Sequence, residues 1–282
     1  MFCCGECKEG IVIVTRLSND RVVAILCEQT LIDWLRKKLL FLICGLSCLA
    51  GTAMAQASRE DLSDLVGRIE YSFYAGDSSS LKQAIEALEK ADVSDGQRAA
   101  QSNSLNFGRW KLAQLLGDRK KNGDAGDVAD RCTESIELKK FAKKAKAEHE
   151  ALLAGCYAVL AEVRFVRTMW YRGSIDDHLE KARKLDPKNL QVQFVAAWAK
   201  AYREPGAPES YVGLKQAVAA FADNAGRLQD TGWGYAEALY MLGKTELARH
   251  DSLAARNALE RALVIAPDYV AAQLLLKQLS VR

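Results

Sequence analysis

At 282 residues the chain is long enough for one or two domains, and 49% apolar with 27% charged residues is ordinary for a globular protein with a full core. The formal net charge is only +3. Residues 1–55 hold six basic and five acidic side chains, which leaves +2 on the remainder. That balance gives no electrostatic reason to expect a nucleic-acid partner.

The first 34 residues carry Cys3, Cys4 and Cys7, with Cys27 twenty residues on. In isolation that spacing reads as a thiolate zinc site, but it lacks the second close pair such a site uses. Arg36-Lys37-Lys38 then precedes an apolar run, Leu39–Ala50, and Thr52-Ala53-Met54-Ala55 follows. A charged start, a short apolar core and an A-x-A site, in that order, make a secretory signal peptide. The expected organisation is therefore an N-terminal extension at 1–34, a cleavable signal at 35–55, and a mature chain at 56–282. Cleavage is expected between Ala55 and Gln56, and the destination is the periplasm. The run of 12 residues is too short for a membrane anchor, since about 20 apolar residues span a bilayer. No later run is long enough, so no transmembrane segment is expected after signal removal. Because a signal normally stands first in its chain, translation is expected to start at or near Leu35, through a non-AUG leucine codon.

From residue 56 onward the apolar spacing is helical throughout. Leu62, Leu65, Val66, Ile69 and Phe73 form one stripe; Gly76-Asp77 and three serines make a turn, with Ser80 as the expected cap. Leu81, Ala84, Ile85 and Leu88 stripe the next helix. Phe107, Trp110, Leu112, Leu115 and Leu116 mark a third, ending at Gly117-Asp118. Residues 118–127 read as a polar loop, and a fourth helix is expected from Asp127 through Cys132 and Ile136.

Only Cys132 and Cys156 survive processing. In an oxidising compartment a disulfide is expected, the alternative being two buried free thiols. One continuous helix between them would hold the sulfurs roughly 36 Å apart. A hairpin turning near Phe141–Lys146 would instead bring them level. The next helix is expected over about Glu148–Trp170, broken by Tyr171-Arg172-Gly173-Ser174. Ile175, Leu179 and Ala182 stripe its partner, which stops at Leu185-Asp186-Pro187. Leu190–Tyr202 and Tyr211–Asp223 form a further pair around the loop 203–210.

Residues 236–268 are the most regular stretch. Leu242-Gly243 is followed by Ala255, Leu259, Ala262 and Pro267. Gly243 and Ala255 are small, so two helices can cross closely; Leu259 and Ala262 fill the seam; Pro267 stops the second helix. Tyr269–Leu279 is the expected closing helix. This spacing resembles the tetratricopeptide (TPR) repeat, a helix–turn–helix unit of about 34 residues. Residues 130–270 further resemble a family of exported bacterial TPR-like proteins of unknown role. The resemblance implies an all-α, TPR-like solenoid of about four helix pairs plus a C-terminal cap. It also implies a protein or peptide partner and no catalysis.

The search for chemistry returns little. There are three histidines: His149, His178 and His250. His149-Glu150 lacks the second histidine of a zinc-peptidase helix, and Ser79-Ser80-Leu81-Lys82 lacks the companion motifs of a serine acyl-transferase. Asp124 and Asp127 do not have the spacing of a calcium loop. No metal or cofactor is expected. Lys139, Lys140, Lys143, Lys144 and Lys146 cluster either as a solvated helix face or as a contact for anionic lipid or a carboxylate. The expected function is a binding scaffold; the alternative is a periplasmic enzyme or small-ligand binding protein. Its groove is expected on the first helices of the pairs. There Phe194, Trp198 and Tyr202 share a stripe, as do Glu237, Tyr240 and Lys244. Phe194 and Trp198 fit a core as well as a groove.

Overall fold

The computed structural model describes residues 14–17, 21–24, 61–134, 141–224 and 232–280. The chain divides into two compact units, Met1–Arg59 and Glu60–Arg282. In the first, β1 (Val14–Leu17) and β2 (Arg21–Ala24) pair antiparallel, with Thr15 opposite Val23. The cleavage site Ala55–Gln56 lies outside the described residues.

The second unit is helical. Its first pair is α1 (Leu62–Tyr74) and α2 (Ser78–Lys90). Asp61 caps α1. Asp77, rather than Ser80, caps α2: its carboxylate accepts from the Ser79 and Ser80 amides at 2.9 and 3.1 Å. The second pair is α3 (Arg98–Asp118) and α4 (Asn122–Cys132). The expected polar loop at 118–127 is therefore largely helix, beginning just after Lys120 turns the chain with φ 63°. Its buried residues are Ala125, Gly126, Ala129 and Cys132, so the face toward the core is too small to register as an apolar stripe. Ile136 lies outside the described residues.

The third pair is α5 (Lys143–Val163) and α6 (Thr168–Leu185), joined by a 3₁₀ turn at Phe165–Arg167. The break thus falls at Arg164–Arg167, and α6 runs through Tyr171-Arg172-Gly173-Ser174. Two contacts place it there. Arg164 leaves the helix to pair with Asp127 and Asp130 of α4 at 2.6 and 3.3 Å. Thr168 Oγ1 donates to the carbonyls of Ala161 and Phe165. Gly173 stays helical on an open face. The remaining pairs are α7 (Leu190–Arg203) with α8 (Pro208–Asn224) and α9 (Tyr235–Ala248) with α10 (Ser252–Ile265); α11 (Val270–Ser280) closes the array.

Each odd-numbered helix from α1 to α9 packs on its partner and on the next odd-numbered helix, which gives a TPR-like array of antiparallel pairs. The described residues hold five pairs and the closing helix, one pair more than the sequence spacing implied. The Gly243 position behaves as its spacing indicates. A Cβ there would meet Leu259 Cγ at 2.9 Å and the Ala255 carbonyl at 3.3 Å, so only glycine permits this crossing. The buried apolar core extends from Leu65 to Ala272 within the second unit, which makes residues 60–282 a self-contained folding unit.

Cys132, the last residue of α4, and Cys156, midway along α5, have their sulfurs at bonding distance and Cα atoms 6.2 Å apart. The connection runs through 133–142 rather than turning at Phe141–Lys146, and the bridge ties a helix end to a helix middle.

Candidate functional site: an aromatic cavity on the inner face

The odd-numbered helices curl until their inner faces meet. Trp110 of α3 packs edge-on against Trp198 of α7 with centroids 4.8 Å apart, and Phe107 lies 4.8 Å from Trp233. Trp233 is turned inward between two glycines with positive φ, Gly232 at 61° and Gly234 at 112°, a backbone that L side chains rarely adopt. Its indole Nε1 donates to Glu148 of α5 at 2.8 Å. At the ends of the array, Tyr74 of α1 stacks 5.0 Å from Tyr269, beside α11.

This closure leaves a cavity of about 350 Å³ between α1, α3, α7, α9 and α11. Its walls are aromatic: Phe73, Tyr74, Trp198, Tyr202, Tyr240 and Tyr269. At its base Lys111 is 1% exposed, with Nζ 3.5 Å from Glu237 Oε1 and 3.6 Å from the centre of the Trp110 ring. Tyr74 donates its hydroxyl to Glu237 Oε2 at 2.9 Å. Burial pulls the Lys111 ammonium down to about 8, against the opposing pull of Glu237. On α1, burial first and the Glu237 charge second raise the Glu70 carboxyl to about 7. Burial likewise lifts Tyr240 to about 12. Gln114 Oε1 is a buried acceptor on the cavity wall with no hydrogen-bond partner among the described residues.

Of the six groove residues expected from sequence, five meet here. Trp198, Tyr202, Glu237, Tyr240 and Lys244 line the cavity. Phe194 does not: it is fully buried behind it, against Trp110 and Trp233. Trp198 is both core and wall, stacked on Tyr202 at 4.7 Å. Glu237 is buried, not displayed. Lys244 is exposed at the rim, 5.7 Å from the Tyr240 ring centre. Sequence reasoning missed Lys111, Tyr74 and Tyr269. The signal for Lys111 was a single lysine inside the apolar run Trp110–Leu116. For the two tyrosines no local signal exists, because their neighbours come from the far end of the array.

The arrangement can bind. The walls offer stacking area, the base a lysine and an unpartnered amide oxygen, and the rim a second lysine. Among the described residues no group of three His, Cys, Asp or Glu side chains is placed to hold a metal ion. His149 is buried between α3 and α5, 3.2 Å from Asn103 Oδ1, and burial lowers its imidazole to about 4. His178 Nδ1 sits 2.6 Å from Glu150. Lys143 and Lys144 are exposed in the first turn of α5; Lys139 and Lys140 lie outside the described residues.

No protein-family model and no curated protein matches the chain. Among solved structures it is similar to YrrB, described as a TPR protein with an unusual peptide-binding site. The likeness is 17% identity over 80% of this chain and 97% of that one, with a TM-score of 0.32. A score of that size does not align one site with another.

Proposed function

We propose that this chain is an exported, periplasmic, TPR-like scaffold that binds a protein or peptide partner in the inner-face cavity and catalyses nothing. The observation that carries the reading is the convergence of Trp198, Tyr202, Glu237, Tyr240 and Lys244, from two helices distant in sequence, on one aromatic cavity. An extended peptide gains stacking area on the tyrosines, and a carboxylate gains Lys244 at the rim. The signal-like segment at 35–55 supports export, and the Cys132–Cys156 pair suits an oxidising compartment. N-terminal sequencing of secreted protein is expected to begin at Gln56.

The test is Tyr240→Ala with Lys244→Glu. Partner capture is expected to fall by at least about tenfold, the scale of losing an interface anchor, while helicity and melting temperature hold. Undiminished capture by that variant would sink the reading. One observation favours a second reading, a small-ligand binding protein: the Lys111–Glu237 pair lies deep in an enclosed cavity near the lower end of ligand-pocket sizes. Native mass spectrometry of the purified protein separates the two, since a retained small molecule lost in Lys111→Met favours the second.

A further inference from the structure

The connection between α5 and α6 is unlike the rest of the surface. Phe165 is 90% exposed, Val166 97%, Met169 87% and Trp170 61%. Four large apolar side chains thus stand in one turn and the first helical residues after it. Isolated apolar residues on a surface need no explanation, but a contiguous group does. The group is convex. Its residues flank a hairpin tip, so they do not line a groove into which a partner's side chain could insert.

The surrounding charge is of one sign. Residues 163–175 contain Arg164, Arg167 and Arg172 and no acidic residue. Arg164 is committed to Asp127 and Asp130. Arg167 and Arg172 are exposed. Trp170 is held in place on its inner side, with its ring 5.9 Å from Tyr157 and 5.1 Å from Tyr171. A braced tryptophan, protruding aliphatic and aromatic neighbours and flanking arginines are what the water–lipid boundary selects. The apolar groups enter the acyl edge, and the guanidinium groups meet phosphate. No helix among the described residues is long and apolar enough to cross a membrane.

We propose that the Phe165–Arg172 tip is a peripheral membrane-contact site for a bilayer surface rich in anionic phospholipid. It is separate from the inner cavity and does not depend on the peptide reading.

The test uses residues 56–282, which contain the whole folding unit without the apolar run at 39–50. Vesicles containing phosphatidylglycerol are compared with vesicles of phosphatidylcholine alone. Wild type is expected to sediment with the anionic vesicles, and the emission of Trp170 to shift to the blue. Phe165→Ser with Trp170→Ser is expected to reduce that binding by about tenfold or more, given the apolar area removed. Arg167→Gln with Arg172→Gln is expected to lose about tenfold on anionic vesicles, near the value of two basic residues at such a surface, and little on neutral ones. All four positions are exposed, so melting temperatures should match wild type and bear out that folding is intact. The proposal is overturned if wild type ignores anionic vesicles, or if the variants bind them as wild type does. It is equally overturned if the tip proves to hold two copies together in analytical ultracentrifugation while no vesicle binding is seen.

Discussion

The α9–α10 pair and the α3–α4 pair have the same architecture but different chemistry. α9 and α10 meet through Gly243, Ala255, Leu259 and Ala262, an apolar seam with a close backbone crossing. α3 and α4 instead depend on groups that apolar packing alone would not tolerate. Lys111 is buried against Glu237; Asn103 and Asn106 are buried against α5, where Asn103 donates to the Ala145 carbonyl at 3.0 Å; His149 is buried beside them. Cys132 is linked to Cys156. The difference teaches that a repeat can leave its consensus when buried polar pairs and a covalent tie replace the apolar seam. Such pairs must be satisfied on both sides, because an orphaned buried charge costs more than the pair contributes.

The sharpest way to break this comparison is Lys111→Met. It leaves Glu237 buried without its cation, and a loss of about 4 kcal/mol in denaturant unfolding is expected. Adding Glu237→Leu should recover most of it. A single variant as stable as wild type would show that α3 needs no charge pair.

Reducing the bridge comes next. Cys132→Ser with Cys156→Ser closes no loop in the unfolded chain and should lower stability by about 3 kcal/mol. Thiol labelling of the denatured, unreduced protein is expected to find no free cysteine within residues 56–282.

The buried histidine sharpens the comparison through pH. His149 titrates near 4 in the folded chain and near its ordinary 6.5 when unfolded. Between those values the unfolded state holds more protons, so stability falls as pH drops from 6.5 toward 4. The loss attributable to this group should approach about 3 kcal/mol. His149→Gln is expected to flatten that acid limb; an unchanged limb would assign it elsewhere.

The smallest expected effect lies in the consensus pair. Gly243→Ala forces a methyl against the far end of the Leu259 side chain, which can yield, and should cost about 1–2 kcal/mol. If it exceeds the cost of Lys111→Met, the contrast between the two pairs is reversed.

The local chemistry of the chain determined its class and much of its outline. Apolar stripes at helical spacing place α1, α2, α7 and α11 within a residue or two of their positions. Pro187 and Pro267 stop α6 and α10, because a proline disfavours helical backbone in the residue before it. The cysteine pair and one face of the cavity were legible for the same reason: they follow from periodicity along single helices. Tertiary structure alone decided the rest. α4 shows only alanine, glycine and cysteine to the core, so no periodic signal announces it. The α5–α6 break has no glycine or proline and is set by Arg164 reaching Asp127 and Asp130 on another helix. Lys111, Tyr74 and Tyr269 acquire their meaning only when α1, α3 and α11 converge. Glu237 exchanges a displayed position for a buried one because Lys111 and Tyr74 arrive to neutralise and hydrogen-bond it. A single helix cannot encode those partners, since each stands more than 100 residues away along the chain.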